Sequence, residues 1–118
     1  TMTPQQIKRA KRLAEILGLT VYDNCDGPTQ DDCFLDFYDP RGDMGPKVFN
    51  PEQDKALLWD LRLEYNVEIS PWEDNTMVVF IENPKTCERL VTIDDVTKDQ
   101  LPAALIDCVI EINGGYDV

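Results

Sequence analysis

Residues 76–82, Thr76-Met77-Val78-Val79-Phe80-Ile81-Glu82, are the stretch on which the reading of the fold turns. The run is almost continuously apolar and rich in β-branched and aromatic residues, which suit a pleated strand. An apolar run without alternation predicts a strand buried on both faces. Downstream, Asn83-Pro84-Lys85-Thr86 reads as a hairpin turn, and residues 87–93 (CERLVTI) as the returning strand. Upstream, Pro71-Trp72-Glu73-Asp74-Asn75 turns the chain out of a short strand at residues 67–70.

Three amphipathic helices surround these strands. The first has Thr3 as cap, Pro4 at the first helical position and Gln6 where a capping box wants Glu or Gln. Ile7, Ala10, Leu13, Ala14 and Leu17 share one face, and Gly18 supplies the stop. The second repeats that design at Asn50-Pro51-Glu52-Gln53 and runs to about Glu64. Leu57, Leu58, Leu61 and Tyr65 mark its buried stripe, with Trp59 at the edge. The third is expected to be capped by Asp99, with Pro102 in its first turn. Its stripe is Leu101, Ala104, Leu105, Cys108, Val109 and Ile112, and Asn113-Gly114-Gly115 ends it. Asp107 and Glu111, four apart on this helix, repel mildly, so removing Asp107 is expected to be near neutral.

Between the first two helices lie a short strand at residues 19–22, a loop at 23–32 (DNCDGPTQDD), an alternating strand at 33–38 (CFLDFY) and a Gly/Pro-rich connection at 39–47. The element order is α-β-β-α-β-β-β-α. It predicts one α+β domain over residues 1–118: a central, mostly antiparallel sheet of about five strands packed with three helices, sandwich-like in its layers.

Composition narrows the function. The 118 residues are 42 % hydrophobic, as expected of a folded domain. No run approaches the roughly 18 apolar residues of a membrane span. Near the N-terminus Ile7, Leu13, Ile16 and Leu17 alternate with Lys8, Arg9, Lys11 and Arg12, unlike a signal peptide, so a cytoplasmic location is expected. Cys25, Cys33, Cys87 and Cys108 match no zinc spacing and are expected to be free, buried thiols. There is no histidine, which excludes Ser–His and Cys–His nucleophile sites. Neither a GxxxxGK[ST] nor a GxGxxG motif occurs. No catalytic site, metal or cofactor is expected.

Charge is the strongest remaining signal. The formal net charge is −12. Residues 1–22 hold Lys8, Arg9, Lys11 and Arg12 against Glu15, a net of +3, which leaves −15 on residues 23–118. Such a field repels nucleic acid and anionic membranes and attracts basic surfaces. Asp23, Asp26, Asp31, Asp32, Asp36, Asp39 and Asp43 are opposed only by Arg41, and Asp60, Glu64 and Glu68 could extend the same ridge. Three readings stand: a solvated surface, a cation site without EF-hand spacing, or an acidic ridge imitating the phosphates of a duplex. The competing anion-binding set is Lys8, Arg9, Lys11, Arg12 and Arg41, with Trp72 or Tyr22 for stacking.

The segment from Phe49-Asn50-Pro51 through Asp54 and Leu58-Trp59 to Tyr65 is followed by two or three strands. It closes with Leu101-Pro102-Ala103-Ala104-Leu105-Ile106-Asp107-Cys108. Over residues 34–112 this pattern is similar to the small alpha-beta-alpha sandwich domains of phage and prophage genomes. The resemblance implies a viral origin and an accessory role, and carries over no catalytic residue. Together with the charge it leads to an expected function: a non-enzymatic phage accessory protein that blocks a basic, nucleic-acid-binding host protein such as a defence effector. The expected partner is that host protein, with no direct contact to nucleic acid or membrane. Homo-oligomerisation stays open. The alternatives are an oligomer that sequesters a nucleotide-type signal and a structural or assembly factor.

Overall fold

The computed structural model describes residues 3–23, 35–38 and 47–116, with the backbone alone at 20–23, 35–38 and 47–48. The chain divides into two compact units, Thr1–Pro51 and Glu52–Val118. It is α+β, with three α-helices and antiparallel sheets.

In the first unit, helix α1 spans Pro4–Leu17. The expected capping box is present: Gln6 N donates to Thr3 Oγ1 at 3.2 Å, and Thr3 N donates to Gln6 Oε1 at 2.8 Å. Ile7, Ala10, Leu13 and Ala14 are buried. Gly18, at φ 72°, takes the left-handed conformation that ends the helix. Strands β1 (Thr20–Asp23), β2 (Leu35–Tyr38) and β3 (Lys47–Val48) form an antiparallel sheet in that order. Strand β3 falls in a segment read from sequence as connection, because two residues carry too little pattern to register as a strand.

The second unit starts differently from its expected reading. Pro51–Gln53 form a 3-10 turn, and helix α2 spans Lys55–Tyr65. Its cap is Asp54, whose carboxylate accepts from Leu57 N at 3.1 Å. Asn50, the expected cap, instead has a buried Oδ1 without a hydrogen-bond partner. Strands β4 (Val67–Pro71), β5 (Thr76–Glu82) and β6 (Arg89–Thr97) make an antiparallel meander with β5 in the middle. Val67 pairs with Ile81 and Ile69 with Val79, while Val79 and Ile81 pair with Ile93 and Val91 on the other side. These six share one face of the sheet, because directly opposed residues of antiparallel strands point the same way. Helix α3 (Leu101–Ile112) lies across all three strands, and α2 packs on α3 and β4.

Strand β5 is buried on both faces, as its unbroken apolar run predicts: Val78, Val79, Phe80 and Ile81 are all in the core. Phe80, on the face opposite Val79, lies under the Arg89 guanidinium, 4.1 Å from the ring centroid. Strand β6 is longer than expected. It passes Asp94-Asp95 by a bulge in which those two residues oppose Val78 alone, with Asp95 at φ 56°. Helix α3 is entered through a 3-10 turn (Lys98–Gln100) tied by Thr97 N to Gln100 Oε1 at 3.2 Å, so Asp99 is not its cap. Its buried side is broader than the expected stripe, since Ile106 and Ile110 join Ala104, Leu105, Cys108 and Val109, while Ile112 is exposed.

The single five-stranded sheet is therefore corrected to two three-stranded sheets, one per unit. Each sheet satisfies its pairing among strands consecutive in sequence. Strand count and periodicity alone carry no information on such a partition.

Two stability consequences follow. Leu105→Ala should cost about 2–5 kcal/mol by cavity formation. Asp107 accepts the Tyr116 hydroxyl at 2.6 Å, which overturns the expectation that its removal is neutral. Asp107→Ala should cost about 1.5–3 kcal/mol, the range for a hydrogen bond to a charged group. Tyr116→Phe should lose a similar amount, and the double variant should lose less than the sum. Chemical denaturation of the four proteins measures all of these.

Candidate interaction surface

The expected ridge residues divide between the units. Asp23 and Asp36 lie on β1 and β2, opposite Leu35 and Tyr22, at successive rather than directly paired positions. Asp26, Asp31, Asp32, Asp39, Arg41 and Asp43 lie outside the described residues. Asp60 and Glu64 are exposed on α2, one helical turn apart, and Glu68 is exposed on β4. The anion-binding alternative loses part of its set. Arg9 is only 8 % exposed, and the Arg12 guanidinium is bound to Glu15 Oε2 at 3.0 Å. The face of α1 opposite the apolar stripe is thus not wholly solvated; Lys8 and Lys11 remain exposed on it.

The charge is partitioned more sharply than the residue order suggests. Thr1–Pro51 hold eight carboxylates against six cations, a net of −2. Glu52–Val118 hold fifteen against five, a net of −10. Of the fourteen among the described residues eleven are exposed, so the charge is a surface field rather than an internal network. The bulge contributes to it directly, since both Asp94 and Asp95 are exposed where the extra residue interrupts the ladder. Among the described residues, no group of His, Cys, Asp and Glu could hold a metal ion. No described helix is long and apolar enough to cross a membrane.

Against this acidic background the second unit carries one apolar groove, which sequence reading missed. It is lined by Leu58, Trp59, Ile69, Leu101, Pro102 and Leu105, with Lys55 and Arg62 on its rim, and holds about 200 Å³. Trp59 is 56 % exposed and sits beneath the Arg62 guanidinium, 5.6 Å from the ring centroid. The clue lay in α2: of the expected stripe only Leu61 is fully buried, while Leu57, Leu58 and Tyr65 are half-covered. A helix short of cover on its apolar side leaves a groove.

Of the two described cysteines, Cys87 is exposed, contrary to expectation, because the strand begins two residues later and Cys87 sits in the turn at φ 57°. Cys108 is buried, and its thiol donates to the Val79 carbonyl at 3.7 Å. Burial, followed by the charges of Asp107 and Glu111, pushes this thiol from 9.0 up to about 12. It is a core group, not a nucleophile.

No protein-family model matches the chain, and neither does any curated protein or solved structure.

The raised Cys108 pKa sets a pH dependence. Below pH 9 the thiol is protonated in both states and its contribution to stability is complete. Between pH 9 and about 12 the unfolded chain releases the proton and the folded chain keeps it, so stability falls as pH rises. The loss should approach about 1.4 kcal/mol per pH unit at its steepest. Denaturation from pH 8 to 11 should show a shallower alkaline decline in Cys108→Ala than in the parent. In native protein a thiol reagent should modify Cys87 rapidly and Cys108 only on unfolding.

Proposed function

We propose that this chain is a non-enzymatic accessory protein of a phage or prophage that acts in the host cytoplasm. It binds and blocks a basic, nucleic-acid-binding host protein, such as a defence effector, by presenting carboxylates where that protein expects phosphates. The observation that carries the reading is the net charge of −10 on the second unit, with eleven exposed carboxylates spread over its helices and strands. A surface of one sign steers a partner of the other sign and repels nucleic acid itself. Duplex DNA presents one charge per about 1.7 Å of axis, so a groove built for it accepts closely spaced carboxylates. Exposed pairs such as Asp60 with Glu64 and Asp94 with Asp95 supply such spacing locally. The phage origin rests on the resemblance across residues 34–112.

The test is capture on the immobilised protein from a bacterial extract, followed by affinity measurement with the captured protein. Duplex DNA should compete for the same surface, and affinity should fall at least tenfold between about 0.05 and 0.2 M salt. Two reversal sets locate the contact: Asp31, Asp32, Asp36 and Asp39 to Lys, and Asp60 and Glu64 to Lys. At least one set should abolish binding; the Asp60 and Glu64 reversals should leave the fold intact, since both are exposed on α2 and exposed substitutions away from the core usually cost under about 0.5 kcal/mol. A salt-insensitive complex indifferent to both sets and to DNA would overturn the proposal.

A further inference from the structure

The groove on the second unit and the turn between β4 and β5 are complementary. The groove is apolar and rimmed by two cations, Lys55 and Arg62, and neither makes an ion pair among the described residues. In a unit of net charge −10, these two cations lie beside apolar surface, Arg62 over the Trp59 ring. The turn offers the opposite: Trp72 is 68 % exposed, the most exposed of the large apolar side chains among the described residues, and is followed directly by the exposed Glu73 and Asp74. The turn holds its shape through Trp72 N to Thr76 O and Thr76 N to Glu73 O, both 3.2 Å, with Glu73 N on Thr76 Oγ1 at 3.3 Å. An aromatic ring is thus held outward on a braced turn with two carboxylates beside it.

We propose that the groove receives Trp72 of a second copy of this chain, with Glu73 and Asp74 of that copy pairing with Lys55 and Arg62. Size is compatible: an apolar cavity of about 150 Å³ accepts benzene, and this one holds about 200 Å³. Placement is compatible too. Ile69 lines the groove and Trp72 follows three residues later, about 10 Å along an extended chain. Trp72 does not line its own groove, so knob and socket lie side by side on one unit. That adjacency lets two copies exchange knobs across a two-fold axis, making a closed pair rather than an open filament. Trp59 and Leu63, exposed one turn apart on α2, extend the apolar rim of the contact. The contact uses Glu73 and Asp74, two of the eleven exposed carboxylates of the unit, but none of the residues whose reversal locates the host-protein contact.

Sedimentation equilibrium of the full chain tests this. The mass should rise with concentration from 13.5 kDa toward twice that value. Trp72→Ala should weaken the dimer at least about tenfold, as expected for a central aromatic anchor, with circular dichroism unchanged because Trp72 is exposed. Charge exchange gives the sharper result. A Lys55→Glu/Arg62→Glu variant and a Glu73→Lys/Asp74→Lys variant should each be monomeric, because groove and knob then carry the same sign. Mixed in equal amounts, they should form a heterodimer, since each groove again meets an opposite knob. A monomer at every concentration overturns the proposal, as does a dimer indifferent to Trp72→Ala or a mixture that stays monomeric. A dimer that survives these changes would mean that the copies meet elsewhere.

Discussion

The burial of β5 under α3 is what the second unit depends on. Val79 has no exposed surface, the Cys108 thiol donates to its carbonyl, and the pairs Ile69–Val79–Ile93 and Val67–Ile81–Val91 extend that contact across the sheet. A sheet of three strands gains independent stability by burying its hydrophobic face, and packing against a helix does this. Helix α3 provides it, with six buried residues from Ala104 to Ile110. The opposite face receives its cover at Phe80 from a different kind of group, the guanidinium of Arg89, whose Nε also lies 3.8 Å from Glu82.

Once the core is committed to α3 and β5, the distribution of charge follows. Carboxylates are excluded from the interior by desolvation, and a small unit has few interior positions. They therefore occupy what remains: the outer line of α3, the outer side of α2, the turns and the bulge in β6. Asp107, half-buried, accepts the Tyr116 hydroxyl. The result is a surface with a large excess of negative charge, favourable for attracting a basic partner and unfavourable for self-association unless the contact is locally complementary. The groove brings two cations, Lys55 and Arg62, beside apolar surface.

Helix α2 is the less completely packed element, and the difference between the two helices is informative. In α3 the apolar residues fill two adjacent stripes, and both are buried. In α2 only Leu61 is fully covered, and Trp59 and Leu63 point outward. Large apolar residues left outside in this way, beside cations, indicate a surface shaped for contact rather than for solvent alone.

Local chemistry made much of the fold legible in the sequence. The α1 capping box, the stop at Gly18, the turn at residues 71–75 and the two-sided burial of residues 76–82 all depend on neighbours within a few positions, where pattern and conformation are linked directly. The cap of α2 was not legible in this way: the sequence pattern points to Asn50, while in the structure Pro51–Gln53 form a 3-10 turn and Asp54 caps the helix. The absence of histidine and the acidic balance were likewise legible, since they are counts. Other features belonged to tertiary structure: the partition into two sheets, the burial of Arg9 and the exposure of Cys87. The groove between α2, β4 and α3 belongs with them. Each is set by which surface lies against which, a relation between residues far apart in sequence. Periodicity says that a face is apolar; only packing decides whether that face is covered.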